Sequence, residues 1–125
     1  MTLVYIILIM IFFHILDDFV LQAPCLCDLK QKKFWETNAP DEKYKYDYLW
    51  ALLMHSFSWA FSISIPLIIL KGFTLISLIT FIINVGIHFI VDNLKANKFK
   101  LNLWQDQLIH MLQIILTALF VYMFT

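Results

Sequence analysis

The chain has no arginine. All nine basic residues are lysines, and nine acidic residues balance them to a formal net charge of zero. With no net basic field to attract a polyanion, nucleic acid is excluded as a partner. Charged residues make up only 14% of the 125 positions, glycine occurs twice and proline three times. No low-complexity tract or internal repeat interrupts the chain. Cysteine is also scarce, limited to Cys25 and Cys27 in APCLCDL. A C-x-C pair is too close for an ordinary structural disulfide, and no second pair completes a zinc site. Two free thiols fit a reducing compartment. No basic segment precedes the first apolar run, which carries Asp17 and Asp18 and is followed by no small-residue cleavage site. It therefore reads as a retained span rather than a signal peptide.

What the chain has in abundance is apolar surface. Hydrophobic residues make up 62% of it, far above the roughly 45–50% of a soluble globular domain. Four runs, about residues 3–21, 49–70, 73–94 and 103–124, each approach the roughly 20 residues that a bilayer core requires. The expectation is one all-α membrane domain over residues 1–125: a four-transmembrane-helix bundle with inward-facing His/Asp stripes and a long interfacial first loop. Lysines 30, 32, 33, 43 and 45 lie in that loop, and 95, 98 and 100 at or after the end of the third span. Only Lys71 lies on the other side. By the positive-inside rule both termini face out and the lysine-rich end faces the cytoplasm. In the first loop, Leu26, Leu29, Lys33 and Phe34 suit a short helix on the membrane surface. Trp35, Tyr44, Tyr46, Tyr48 and Trp50 suit an aromatic belt at the headgroups. A solvated tether and a cover over a site are both open readings of this loop.

The polar residues inside the spans are patterned. Each span has one histidine: His14, His55, His88 and His110. His14 and Asp18 are four apart, as are His88 and Asp92, and Asp106 and His110, so each pair shares a helix face. Gln22, Asn84, Lys95 and Gln113 extend those stripes, and Ser58 and Ser62 lie on the face of His55. At about 1.5 Å of rise per residue, alternating span directions put all four imidazoles about 10 Å below the same membrane boundary. Asp18, Asp92 and Asp106 fall one turn shallower. An aspartate at a span's centre costs about 2.5–3.5 kcal/mol on insertion scales, so these residues should face the interior and satisfy one another.

Imidazoles and carboxylates together are the ligand chemistry of zinc, iron or manganese, and a four-helix bundle can present them inward. The candidate ligands of a divalent transition metal are His14, Asp18, His55, His88, Asp92, Asp106 and His110. Asp17, off the main stripe, is a candidate general base, and Lys95, at headgroup level, a candidate partner for a phosphate. The depth of the layer suits a lipid phosphoester substrate, with membrane lipids as the partners, and a homo-oligomer stays open. Three other readings compete. In the first, the His/Asp network is structural and fixes helix packing in a non-enzymatic bacterial or phage membrane protein. In the second it relays protons or ions, although stretches such as VYIILIMIF and LTALFVYMF offer almost no polar residue for a through-path. Two bis-histidine pairs would also suit haem, but the aspartates and the single depth of the histidines argue against it.

In their order, His14-x-x-x-Asp18-Phe19-x-Leu21-Gln22, the lone His55, His88-x-x-x-Asp92-x-x-Lys95 and Asp106-Gln107-x-x-His110 resemble the domain of unknown function 3307 family. These are small integral membrane proteins of bacteria and phages. The resemblance spans nearly the whole chain and implies a compact multi-span protein of the bacterial inner membrane, without an established activity. A looser likeness is to membrane-bound metal-dependent hydrolases. The doubled acid Asp17-Asp18 and the C-x-C depart from the pattern.

Overall fold

The computed structural model describes residues 2–125, and no strand occurs among them. Four helices are long and apolar enough to cross a membrane. Helix α1 (Leu3–Ile15) continues into a π-helical turn, Leu16–Leu21. Two short helices follow, α2 (Pro24–Leu29) and α3 (Lys32–Asn38), then a 3-10 turn, Glu42–Tyr44. The remaining spans are α4 (Asp47–Lys71), α5 (Leu75–Ala96) and α6 (Leu103–Phe124).

Local chemistry sets the ends of these helices. Thr74 and Ser77 form a reciprocal capping box, as do Asn102 and Gln105, so orphan amide donors at both N-termini are satisfied. The box at Thr74 starts α5 two residues later than hydropathy alone suggests. Gly72, at φ +75°, closes α4 in a conformation that L side chains rarely adopt. Pro24 occupies the first turn of α2, where its missing N–H costs nothing.

The spans form a closed ring in which α1 packs on α4 and α6, and α5 packs on α4 and α6. Towards one end the ring is filled by apolar residues: Ile6, Met10, Ala60, Ile63, Leu67, Ile114, Ala118 and Val121 are buried together. Towards the other end the same helix faces bury His14, Asp17, His55, His88, Asp92, Asp106 and His110. Between the two, Gln113 donates from Nε2 to Asn84 Oδ1 at 2.8 Å and Asn84 donates from Nδ2 to Thr117 Oγ1 at 2.9 Å, joining α5 to α6. The outward faces carry Leu8, Phe12, Phe57, Phe61, Ile82, Leu112 and Leu116, all exposed. Apolar side chains outside and polar ones within is the arrangement a bilayer solvent demands.

Helices α2 and α3 fold back over the polar end. Asn97 fastens them to the end of α5: its Nδ2 donates to the Lys30 carbonyl at 3.0 Å, and its Oδ1 accepts from the Lys32 amide at 2.7 Å. Trp35 donates from Nε1 to the Leu29 carbonyl at 2.8 Å, tying α3 to α2. The expected surface helix is thus two short helices, and the first of them delivers Lys30 to the interior.

Candidate metal centre

Each helix brings its polar stripe to one point. From α4 come His55 and, four residues on, Trp59, both buried. From α5 come His88 and Asp92, and from α6 Asp106, Gln107 and His110. The π-helical turn of α1 contributes two adjacent acids that point to different partners. Asp17 is buried against α4, accepting from Ser58 Oγ at 2.6 Å and Ser62 Oγ at 3.2 Å. Asp18 reaches the centre, with Oδ1 3.3 Å from His55 Nε2. Single π turns inside helices often mark functional sites, and here the widened turn carries both acids.

Asp92 lies at the heart of the cluster. Its Oδ1 is 3.6 Å from His88 Nε2 and 3.5 Å from His110 Nε2. Its Oδ2 is 3.5 Å from His55 Nε2. His110 Nε2 is also 3.3 Å from Asp106 Oδ1. These separations exceed good N–H···O hydrogen bonds. They match the spacing of two ligands on a common tetrahedral ion, about 3.3–3.6 Å for bonds of about 2.0–2.2 Å. Two triads, Asp18–His55–His88 and His88–Asp92–His110, have ligand atoms close enough to hold a metal ion. Both ring nitrogens of His88 and of His110, and the Oδ1 atoms of Asp18 and Asp106, are buried without a hydrogen-bond partner. Such orphans are rare in folded proteins, and imidazole and carboxylate orphans together are the donor set of a transition metal.

Not every expected ligand enters these triads. His14 Nδ1 accepts from the Trp59 indole at 2.7 Å, so its Nε2 carries the proton and donates to Gln107 Oε1 at 3.0 Å. With both nitrogens engaged, His14 buttresses the site. Asp106 accepts from Lys95 Nζ at 2.6 Å and stands at the edge of the second triad. Asp17 Oδ2 lies 3.7 Å from His55 Nδ1, the side away from Asp18, as a carboxylate that orients a ligating histidine would.

Three further residues belong to the centre beyond the expected ligands. Trp59 stacks on His88 with ring centroids 4.3 Å apart, and His88 stacks on His110 at 4.2 Å, so the imidazoles are held as a packed column. Gln107 links His14 to Asp18 and Asp106. Lys30, buried, donates to Asp92 Oδ2 at 2.7 Å. Trp59 is four residues after His55 and so shares its face, a usable signal. Lys30 gives none, because its place depends on how α2 folds back.

No family model matches the chain, and neither a curated protein nor a solved structure matches it. The chemistry of the centre therefore rests on its own geometry. A cavity of about 330 Å³ opens onto it, with Asp18, His55 and Asp92 at its base, Lys30, Lys95, Gln22, Gln31 and Gln107 in its walls, and Phe19, Phe99 and Leu103 at its rim. The rim residues are exposed. Phe99, at φ +53°, is the one non-glycine residue in the left-handed region among the described residues.

Proposed function

We propose that the protein binds a divalent transition metal at the His/Asp centre and uses it to hydrolyse a lipid phosphoester at the cytoplasmic face of the bacterial inner membrane. The observation that carries this reading is the set of buried, partnerless ring nitrogens of His88 and His110 facing the Asp92 carboxylate. Charge supports it. Four carboxylates, Asp17, Asp18, Asp92 and Asp106, gather there against two lysine ammonium groups, Lys30 on Asp92 and Lys95 on Asp106. Uncompensated charge in a buried site is costly, and one divalent ion removes the deficit. Membership of the domain of unknown function 3307 family is part of the same proposal and rests on the four ordered motifs.

A bound divalent ion supplies a water of lowered pKa and a Lewis acid for a phosphoryl oxygen. The chain's own residues do the rest. Lys95 and Lys30 flank the cavity that leads to the centre and favour an anionic group there. The exposed rim of Phe19, Phe99 and Leu103 accepts the apolar part of a substrate arriving from the lipid. Asp17, braced by two serines, holds His55 in orientation. Water adds its oxygen to phosphorus, the ester P–O bond breaks, and the alcohol leaves with one of the water's protons while the other passes to a carboxylate of the centre.

The test is metal content of the full chain purified in detergent, wild type against His88→Ala. The expected result is bound zinc, iron or manganese in the wild type and at least a tenfold loss in the variant. Equal and negligible metal in both would overturn the reading.

A further inference from the structure

We propose that the centre holds two metal ions, bridged by the two oxygens of Asp92; the idea rests on the metal-site reading above and deepens it. The two oxygens face different histidines. Oδ1 is turned to His88 and His110, at 3.6 and 3.5 Å, and Oδ2 to His55, at 3.5 Å. His55 Nε2 in turn stands 3.3 Å from Asp18 Oδ1. The ligand atoms thus divide into a deep triad, His88, Asp92 and His110, and a shallow triad, Asp18, His55 and His88, with Asp92 Oδ2 turned towards the shallow one at His55. Of these residues Asp18, His55 and Asp92 line the cavity, whereas His88 and His110 do not. The shallow ion is the one a substrate meets.

A cation already sits on the shallow side. The Lys30 ammonium lies 2.7 Å from Asp92 Oδ2, a monovalent occupant of the oxygen that a second ion requires. The shallow ion displaces Lys30 into the cavity, beside Lys95. Charge gives the second ion a purpose. One divalent ion neutralises the centre, and a second leaves a surplus of two positive charges, which suits the dianion of a phosphate monoester. Carboxylate-bridged ions about 3.5–4 Å apart clamp the attacking and leaving oxygens of an in-line displacement.

The experiment titrates full-length protein in detergent with Mn²⁺, counts bound metal and records the electron paramagnetic resonance spectrum. Two equivalents are expected, the first with the spectrum of an isolated ion and the second with exchange coupling between neighbours. His55→Gln should abolish the second equivalent and leave the first. Lys30→Met should tighten the second by about tenfold through removal of a competing charge. Saturation at one equivalent with an uncoupled spectrum would overturn the second ion while leaving a one-metal site standing. No bound metal in the wild type would overturn both. Wild-type stoichiometry and coupling decide between these outcomes even where a variant fails to fold.

Discussion

Trp59 shows how much of the centre depends on a residue with no ligand chemistry. It is fully buried, donates its indole N–H to His14 and lies flat against His88. Trp59→Phe keeps an aromatic face but leaves His14 Nδ1 without a donor in a buried site. The expected cost is about 1–3 kcal/mol of stability, read from unfolding of the protein in detergent, with Trp104→Phe as a control. Trp104 is exposed, and its substitution should shift stability by no more than about 0.5 kcal/mol. Equal losses in the two variants would remove the buttressing role. At this scale the sequence was legible where spacing carries direction: His88 with Asp92, and Asp106 with His110, share helix faces and meet. It was not legible at Lys30, whose neighbour Asp92 is 62 positions away. Nor did spacing show that His14, equal to the other histidines in depth, would spend both ring nitrogens on Trp59 and Gln107.

Among the elements, the spans were readable from hydropathy because a bilayer-crossing helix must be long and apolar. Their ends were less so, since capping boxes at Thr74 and Asn102, not hydropathy, decide where α5 and α6 begin. The π-helical turn was not readable at all, because one extra residue per turn leaves no mark on composition. The α2–α3 unit is the element on which Lys30 depends, and Asn97 is its clasp. Asn97→Ala removes both bonds to the Lys30 carbonyl and the Lys32 amide. The unit should then open locally, with amide exchange and protease cleavage over residues 23–46 rising by about tenfold while the spans stay protected. Cleavage unchanged by the substitution would mean that packing alone, without the clasp, holds α2 and α3 in place.

Across the whole molecule the polar and apolar halves of the interior lie at opposite ends. The core of Ile6, Met10, Ile63, Leu67, Ala118 and Val121 fills one end. The buried hydroxyls there beyond the Asn84–Gln113–Thr117 contacts, of Ser64, Ser77 and Thr80, each donate to a backbone carbonyl three or four residues earlier and so do not join into a path for a proton or ion. This arrangement fits a site that opens on one face better than it fits a conduit. The proposed cytoplasmic opening rests on the lysines alone: eight of the nine lie at the site's end of the bundle, and the positive-inside rule associates that end with the cytoplasm. Cys25 and Cys27 are exposed at that same end and serve as native reporters. A membrane-impermeant maleimide should leave both unlabelled in intact spheroplasts and label them in inverted vesicles, with full labelling once detergent is added. Labelling at equal rates in spheroplasts and in detergent would place the centre on the outer face. The substrate would then have to come from the opposite leaflet, and the lysine asymmetry would have to be read as headgroup binding at that surface instead of as a determinant of orientation.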